Sequence, residues 1–147
     1  MPDTLELPDL AATEALAAAL ARLARPGDAI LLDGPLGAGK TALARAFLRA
    51  ACGDPRLEVP SPSFTLVQSY ETRLGPVHHF DLWRLDGPGA LSELGWEDMR
   101  ADIVLVEWPD RLGALRPAGA LTVTLALAGG EARRATLAGW FRRRGGR

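Results

Sequence analysis

Lysine is almost absent from this sequence: of the 17 lysine and arginine residues, Lys40 is the only lysine. Arginine does not replace lysine in a tight phosphate cradle, because a compact ammonium group enters where a planar guanidinium does not fit. A single lysine kept against so strong an arginine bias therefore predicts a function for Lys40.

Asparagine is missing altogether. Guanine-specific switches of the Ras type read their base with an Asn-Lys-x-Asp motif, and this chain has neither the asparagine nor a second lysine to build one. That class of GTPase is therefore excluded. Adenine is the default base, although no residue identifies it positively.

Cysteine, long apolar runs and net charge are also scarce. The one cysteine, Cys52, cannot form an internal disulfide, and residues 1–9 lack the charged and apolar regions of a signal peptide, so we expect a cytoplasmic protein. No apolar stretch approaches the roughly 20 residues that span a bilayer, which predicts no membrane partner. A net charge of -1 and a pI near 6.1 give no general field for a nucleic-acid backbone, so we expect no DNA partner and only local or indirect RNA contact.

The first half of the chain reads as helix, strand, glycine-rich loop and helix. Three leucines recur at helical spacing between Asp9, a candidate N-cap, and the breaker pair Pro26-Gly27. The continuous apolar run Ala29–Leu32 is typical of a parallel strand buried on both faces. Beyond the loop, apolar positions between 42 and 50 repeat with helical period until Gly53-Asp54-Pro55.

The second half is richer in β-strand patterns. Residues 64–70 and 77–83 predict a hairpin whose connection, residues 71–76, contains Gly75-Pro76. A single short helix is expected over residues 90–100.

Two further strands follow that helix. Residues 103–106 form a second buried apolar run, and residues 121–127 alternate apolar residues with threonine. Residues 135–144 fit a strand or a helix equally well. At 147 residues and 48% hydrophobic, the chain has the size of one domain, which we expect to cover residues 1–147.

A phosphate-binding pattern lies between the first predicted strand and the second helix. Residues 34–41 match G-x-x-x-x-G-K-[ST], in which backbone N–H groups and a helix N-terminus wrap phosphates. Lys40 should reach the β and γ phosphates, and the Thr41 hydroxyl should coordinate Mg²⁺. The predicted nucleotide-binding residues here are Gly34, Pro35, Leu36, Gly37, Ala38, Gly39, Lys40, Thr41 and Ala42. The expected fold is therefore an α/β P-loop NTPase domain, with a mostly parallel central sheet flanked by helices and an added antiparallel hairpin.

An acidic partner for a metal-bound triphosphate belongs at the end of a neighbouring strand. Glu107 follows four apolar residues and is the natural candidate, with Asp81 as its rival. His79 and Asp81 lie two apart and face the same side of a strand, but a zinc site would need two further ligands. His78 faces the other side, which indicates a structural role.

The C-terminal arginines, Arg142 to Arg144 with Arg147, could touch RNA phosphates or an acidic partner, but a terminal run of this kind is more often solvated. Trp108 directly follows Glu107, and an aromatic side chain beside a nucleotide site could report its state to a partner.

Four motifs in order resemble the bacterial TsaE (YjeE) family over nearly the whole chain: Gly34-Pro-Leu-Gly-Ala-Gly-Lys-Thr41, Ser61-Pro-Ser-Phe-Thr-Leu-Val67, His79-Phe-Asp-Leu-Trp-Arg84 and Glu107-Trp-Pro109. The resemblance implies an ATPase that uses ATP and Mg²⁺ in forming the threonylcarbamoyl group on the adenosine next to the anticodon of certain tRNAs. Its partners would be a TsaD-like transferase and a TsaB-like scaffold protein, with tRNA reached through that complex.

The resemblance also implies roles by matching motif. Lys40 would hold phosphate, Thr41 and Glu107 would position Mg²⁺, and Asp81 would serve the metal or the attacking water. Lys40, Asp81 and Glu107 are thus the implied catalytic residues.

Outside that group, Ser63 would belong to a switch-like loop and Trp108 would lie near the nucleotide or the partner surface. The chain departs from the usual family pattern at Pro35 (commonly Asp), Ala42 (a second Thr), Ser63 (Thr) and Trp83 (Tyr). Pro35 removes a backbone donor and a carboxylate from the outer end of the loop.

Two other functions are compatible with a P-loop domain of this size. One is a small-molecule kinase, for which residues 142–144 are the only evident lid candidate. The other is a nucleotide-gated binding module with negligible turnover, in which ATP binding alone switches a partner surface.

Overall fold

Seven strands form one mixed sheet with helices on both faces, in a computed structural model that describes residues 3–145. The strands are β1 (Asp3–Leu7), β2 (Ala29–Asp33), β3 (Val67–Thr72), β4 (Gly75–Asp81), β5 (Ile103–Glu107), β6 (Leu121–Leu127) and β7 (Arg133–Ala138). The α-helices are α1 (Leu10–Leu23), α2 (Lys40–Cys52), α3 (Gly89–Glu93) and α4 (Trp96–Met99), with a 3-10 segment at Pro109–Leu115. None of the helices within residues 3–145 has the length and apolar character needed to cross a membrane.

The strand order is β1-β7-β6-β2-β5-β4-β3. The central strands β6, β2, β5 and β4 pair in parallel, and the edge strands β3, β7 and β1 are antiparallel to their neighbours. This confirms the predicted α/β fold with a mostly parallel centre and an antiparallel β3–β4 hairpin. Of residues 135–144, where strand or helix was left open, the first part belongs to strand β7, which ends at Ala138, and residues 141–144 lie in a turn. Strand β1 and the β6–β7 antiparallel pair were not predicted.

The central strands are buried on both faces, as their continuous apolar runs predict. In β2, Ile30 and Leu32 pack on the side of α1 and α2, while Leu31 packs on the side of α3 and α4. On that second side, Phe80 and Trp96 meet edge to face with ring centroids 5.2 Å apart. Because every apolar residue of β2 is enclosed, the strand holds the loop that follows it at a fixed position.

Asp9 begins the first helix, as predicted. Its Oδ1 accepts a hydrogen bond from the N–H of Ala12 at 2.9 Å, which satisfies one of the free donors of the first turn. Leu16 and Leu20 are buried against the sheet. Helix α1 thereby covers the face of the sheet on which α2 also lies.

The predicted helix over residues 90–100 is wrong in one respect: it is two short helices. Gly95 separates α3 from α4 with φ +89°, a left-handed conformation that glycine adopts without steric cost. The break allows Leu91 and Trp96 both to reach the core beneath.

The β3–β4 hairpin also differs from its predicted bounds. β3 begins at Val67 rather than at residue 64, because the N–H of Leu66 donates to Pro62 O in a preceding turn and Leu66 has φ +68°. Phe64, expected in the strand, is 83% exposed. At the other end the strands continue to Thr72 and Gly75, so the connection is shorter than residues 71–76.

The C-terminal arginine run is only partly solvated. Arg142 is exposed, but Arg143 pairs with Asp28 at 2.5 Å, and Arg144 pairs with Asp3. Arg147 lies outside the described residues. Asp28 immediately precedes β2, at the opposite end of that strand from the glycine-rich loop, so residues 142–144 are not placed to close over the loop as a kinase lid.

Candidate functional site

The loop between β2 and α2 wraps the amino end of α2. The N–H of Leu43 donates to Gly39 O at 2.9 Å, so the helix ladder starts directly at the end of the loop. From the outer side, Arg133 Nη2 donates to Gly37 O at 3.2 Å and ties the β6–β7 turn to the loop. The free N–H groups and the positive dipole end of a 13-residue helix are thus presented to this loop, which is the geometry of an anion site.

Gly34 is the point where the loop leaves β2, and we expect Gly34→Ala to destabilise the protein. Gly34 has φ +139°, and a Cβ there would lie 2.4 Å from the carbonyl oxygen of Leu125 on β6. The substitution should lower the free energy of unfolding by about 2–4 kcal/mol. Alanine would be strained at this positive φ, and the backbone would also have to shift to relieve the clash with Leu125 O. Gly27→Ala is the matched control: it has positive φ but open space, and should cost only about 1 kcal/mol. Denaturant unfolding measures both, and equal losses would contradict the steric account.

Lys40 is buried, with 5% of its surface exposed, and its ammonium is held by the loop. Nζ donates to Gly34 O at 2.5 Å and to Pro35 O at 3.0 Å, and it lies 3.8 Å from the ring centroid of Trp108. Burial lowers the pKa of Lys40, and the carboxylates of Glu107, Asp33 and Asp81 oppose that shift. The loop therefore holds a desolvated cation against the carbonyls of its first two residues.

Thr41 and Glu107 connect the loop to the neighbouring strand. Thr41 Oγ1 donates to Glu107 Oε1 at 2.8 Å, across 66 residues of sequence. Glu107 is 2% exposed at the carboxyl end of β5, and its other oxygen, Oε2, lies 2.7 Å from His79 Nε2. Since β2 and β5 are adjacent parallel strands, their carboxyl ends bring this carboxylate beside the start of α2.

Asp81 stands next to Glu107 in the sheet, as its register partner on β4. Its Oδ2 accepts from Ser63 at 3.0 Å and from Ser61 at 3.4 Å, and its Oδ1 accepts from the N–H of Trp83 at 3.0 Å. Asp81 thereby fixes the loop that carries both serines against the sheet.

Trp108 lines the site beside Lys40. Its backbone is left-handed, with φ 59° and ψ 55°, and its ring centroid lies 3.8 Å from the Lys40 ammonium and 4.4 Å from the ring centroid of Trp83. A non-glycine residue held in this conformation costs of order 1–3 kcal/mol, which the surrounding contacts must outweigh. In this conformation the indole ring lies over the Lys40 ammonium.

These groups enclose one cavity of about 300 Å³. Its walls are Leu36, Gly37, Gly39, Lys40, Thr41, Ala42, Ser61, Ser63, Asp81, Glu107 and Trp108. Three of the predicted nucleotide-binding residues do not line it: Ala38 is packed in the core, and Gly34 and Pro35 supply the carbonyls that hold Lys40.

Two residues that contact the site carboxylates are not assigned by the sequence motifs. Ser61 lies in a motif without a role of its own, but it donates to Asp81 as Ser63 does. His79 fits half of a metal pair in the sequence, whereas in the structure it contacts Glu107. Strand alternation places His79 on the correct face, but the pairing of β4 with β5, which brings Glu107 to it, is visible only in the sheet. His78 faces the other side, as predicted, and bonds Ser69 and Asp102.

The chain matches the family model described as "Threonylcarbamoyl adenosine biosynthesis protein TsaE" over residues 7–135. It is similar to proteins named tRNA threonylcarbamoyladenosine biosynthesis protein TsaE in several bacteria. The Synechocystis protein is 40% identical over 114 residues, covering 74% of this chain and 71% of that protein. The Bacillus subtilis protein is 32% identical over 126 residues, covering 84% and 77%.

The Rickettsia felis protein is 39% identical over 99 residues, which cover 67% of this chain but only 57% of that protein. Among solved structures, Bacillus subtilis YdiB superposes with a TM-score of 0.77 at 27% identity, covering 97% of this chain and 88% of that one. The likeness in structure therefore extends over nearly the whole chain, and the family model spans every residue that lines the cavity.

Proposed function

This chain belongs to the TsaE family, and from that premise we propose that it is a cytoplasmic Mg²⁺-dependent ATPase required for threonylcarbamoylation of the adenosine next to the anticodon in tRNA. It acts on a complex of a TsaD-like transferase and a TsaB-like scaffold protein, and it meets tRNA through that complex. Its hydrolysis is weak alone and is stimulated by these partners.

The observation that carries the proposal is the hydrogen bond from Thr41 to Glu107. It joins the residue after the phosphate-loop lysine to a buried carboxylate on the adjacent strand, 2.8 Å away. In P-loop NTPases these two positions hold the Mg²⁺ that accompanies the nucleotide, so Thr41 and Glu107 are the residues that would hold it here.

The donor set suits Mg²⁺. Because the Thr41 hydroxyl hydrogen is directed to Glu107, its lone pairs remain available toward the cavity, and hydroxyl and carboxylate oxygens are the ligands that this hard cation prefers. Within residues 3–145 no three His, Cys, Asp or Glu side chains cluster as a metal site, which agrees with an ion held mostly by phosphate and water. Bound there, Mg²⁺ would neutralise charge on the transferring phosphoryl group.

Asp81 and Trp108 complete the proposed cycle. The Asp81 carboxylate lines the cavity beside Glu107, and in this proposal it serves the metal or the attacking water, while Ser63 links it to the neighbouring loop. Trp108 contacts Lys40, the proposed phosphate-binding lysine, on one hand and Trp83 on the other. Trp83 is 48% exposed. Nucleotide state is thereby transmitted toward a partner surface.

Reconstitution with TsaB, TsaD and tRNA tests this proposal. We expect repeated rounds of threonylcarbamoylation only when this chain and ATP are present, and loss of rounds beyond the first when Lys40 is replaced by alanine. Product per transferase, counted on the tRNA over time, is the measurement. A wild-type chain that leaves the number of rounds unchanged would overturn the role in tRNA modification.

The same assay separates hydrolysis from gating. Repeated turnover with ATP, but a single round with a non-hydrolysable analogue, supports an ATPase cycle. Equal numbers of rounds with both nucleotides would favour the gated binding module, and phosphorylation of a metabolite in a substrate screen would favour the kinase.

A further inference from the structure

His79 is the most enclosed polar residue of the β4 strand. Its relative exposure is 0%, and Nε2 lies 2.7 Å from Glu107 Oε2. Its other ring nitrogen, Nδ1, has no hydrogen-bond partner among residues 3–145. The proposed function assigns nothing to this side chain, although it touches the carboxylate at the centre of the site.

The partners of the ring determine which nitrogen carries hydrogen. An ionised carboxylate oxygen only accepts, so Nε2 must be the donor in this contact. Nδ1 then carries a lone pair and leaves no N–H unpaired in the core. His79 is thus fixed as a single-donor ring aimed at Glu107.

Both oxygens of Glu107 are consequently held, each by a different element. Thr41 on α2 donates to Oε1, and His79 on β4 donates to Oε2. Removing the second donor would leave a buried carboxylate oxygen without a partner, and the group would turn toward other donors. The orientation of Glu107 toward Thr41 therefore depends on a residue that does not line the cavity.

We infer that His79 is a positioning residue: its Nε2–H holds the Glu107 carboxylate in the orientation that lets Thr41 and Glu107 organise Mg²⁺. This inference rests on the proposed function. Residues that hydrogen-bond a metal ligand from behind usually set its orientation, and their loss typically reduces metal affinity about 10- to 100-fold.

A simple packing role predicts a different dependence on substitution. If His79 only filled volume, any side chain of similar size would serve. If it acts as a donor at Nε2, the position of the N–H decides the outcome. Glutamine places its amide nitrogen where Nε2 lies, asparagine places it nearer Nδ1, and leucine fills the space without a donor.

The test compares His79→Gln, His79→Asn and His79→Leu in the full chain. Isothermal titration calorimetry measures the affinity of each variant for ADP in the presence of Mg²⁺ and in the presence of EDTA. The ratio of these two affinities is the gain in ADP affinity that Mg²⁺ confers. We expect the leucine and asparagine variants to lose about tenfold or more of this gain and the glutamine variant to recover most of it. Affinity in EDTA, which reports the backbone cradle, should not change. If His79→Leu does not fold, the comparison of His79→Asn with His79→Gln still separates a side chain without a donor at the Nε2 position from one that has it.

A double-mutant cycle with Glu107→Gln provides the second measurement. Because His79 acts through Glu107, His79→Leu should not reduce the Mg²⁺ gain further once Glu107 is changed. Equal losses in the glutamine and asparagine variants, or no loss in any of them, would overturn the inference alone. A wild-type chain whose ADP affinity is the same with and without Mg²⁺ would overturn the proposed function and this inference together.

Discussion

Lys40→Met is expected to reduce ATP hydrolysis by about 10²–10³-fold or more, since loss of one preorganised donor to a developing negative charge has an effect of this size. The Lys40 ammonium is bound by loop carbonyls and lines the cavity, and the chain has no other lysine to take its place. Phosphate release in the presence of the partner proteins measures the loss. Lys40→Arg should not restore activity, because the buried space that holds an ammonium does not admit a guanidinium.

The fold should tolerate Lys40→Met. Burial lowers the pKa of this lysine despite the nearby carboxylates, so the folded protein disfavours its charged form. Between the folded pKa and the ordinary value, the unfolded chain binds more protons and wild-type stability rises with pH. A neutral side chain removes that dependence, so the free energy of unfolding of Lys40→Met should vary less with pH over this range than that of the wild type.

Arg142→Met is the matched control, because it removes one positive charge at an exposed position outside the cavity. It should leave hydrolysis intact. If Lys40→Met hydrolyses ATP at a rate near that of the wild type, Lys40 has no role in hydrolysis. Lost hydrolysis together with lost folding would show that the residue supports the structure instead.

Glu107→Gln is expected to lower hydrolysis by about 100-fold or more and to reduce stability as well. The loss of charge removes the anion that Thr41 and the metal require, an effect comparable with the removal of a general acid or base. An amide also offers one acceptor where the carboxylate offered two. If the amide oxygen of Gln at position 107 keeps the hydrogen bond from Thr41, the amide nitrogen faces Nε2–H of His79, and two donors then oppose each other.

The imidazole can relieve that conflict by carrying its hydrogen on Nδ1, but Nδ1 has no partner among the described residues. A buried N–H without an acceptor costs about 1–3 kcal/mol, which should appear in chemical denaturation of Glu107→Gln. Glu131→Gln, at an exposed position, controls for the loss of one negative charge and should change neither quantity. Unchanged hydrolysis in Glu107→Gln would exclude Glu107 from the chemistry.

The central elements were accessible from the sequence because their signals are local. The apolar runs of β2 and β5 need burial on both faces, and the glycine-rich segment between β2 and α2 has one arrangement that fits its spacing. Helix α1 was likewise marked by Asp9 at one end and Pro26-Gly27 at the other.

The remaining features depend on contacts between distant segments. β1 is short and largely exposed, and it is a strand because β7 offers it a partner. The left-handed backbone of Trp108 follows from its packing on Lys40 and Trp83, although Pro109 already disfavours a right-handed helical conformation before it. The His79–Glu107 contact requires the register of β4 on β5, which residue patterns do not specify.

The carbonyl of Pro35 accepts both from Lys40 Nζ and, at 3.1 Å, from the N–H of Ala38. These are two of the donors that a phosphate would engage, so nucleotide binding at this loop is an exchange of acceptors rather than a simple addition. The measured affinity then reports the difference in free energy between two sets of hydrogen bonds. Each hydrogen bond contributes a net of about 0.5–3 kcal/mol. Proline, with its fixed φ, holds that competing oxygen in place. Two phosphate loops that differ only at this position therefore need not bind the same nucleotide equally well, even when every group that touches the ligand is identical.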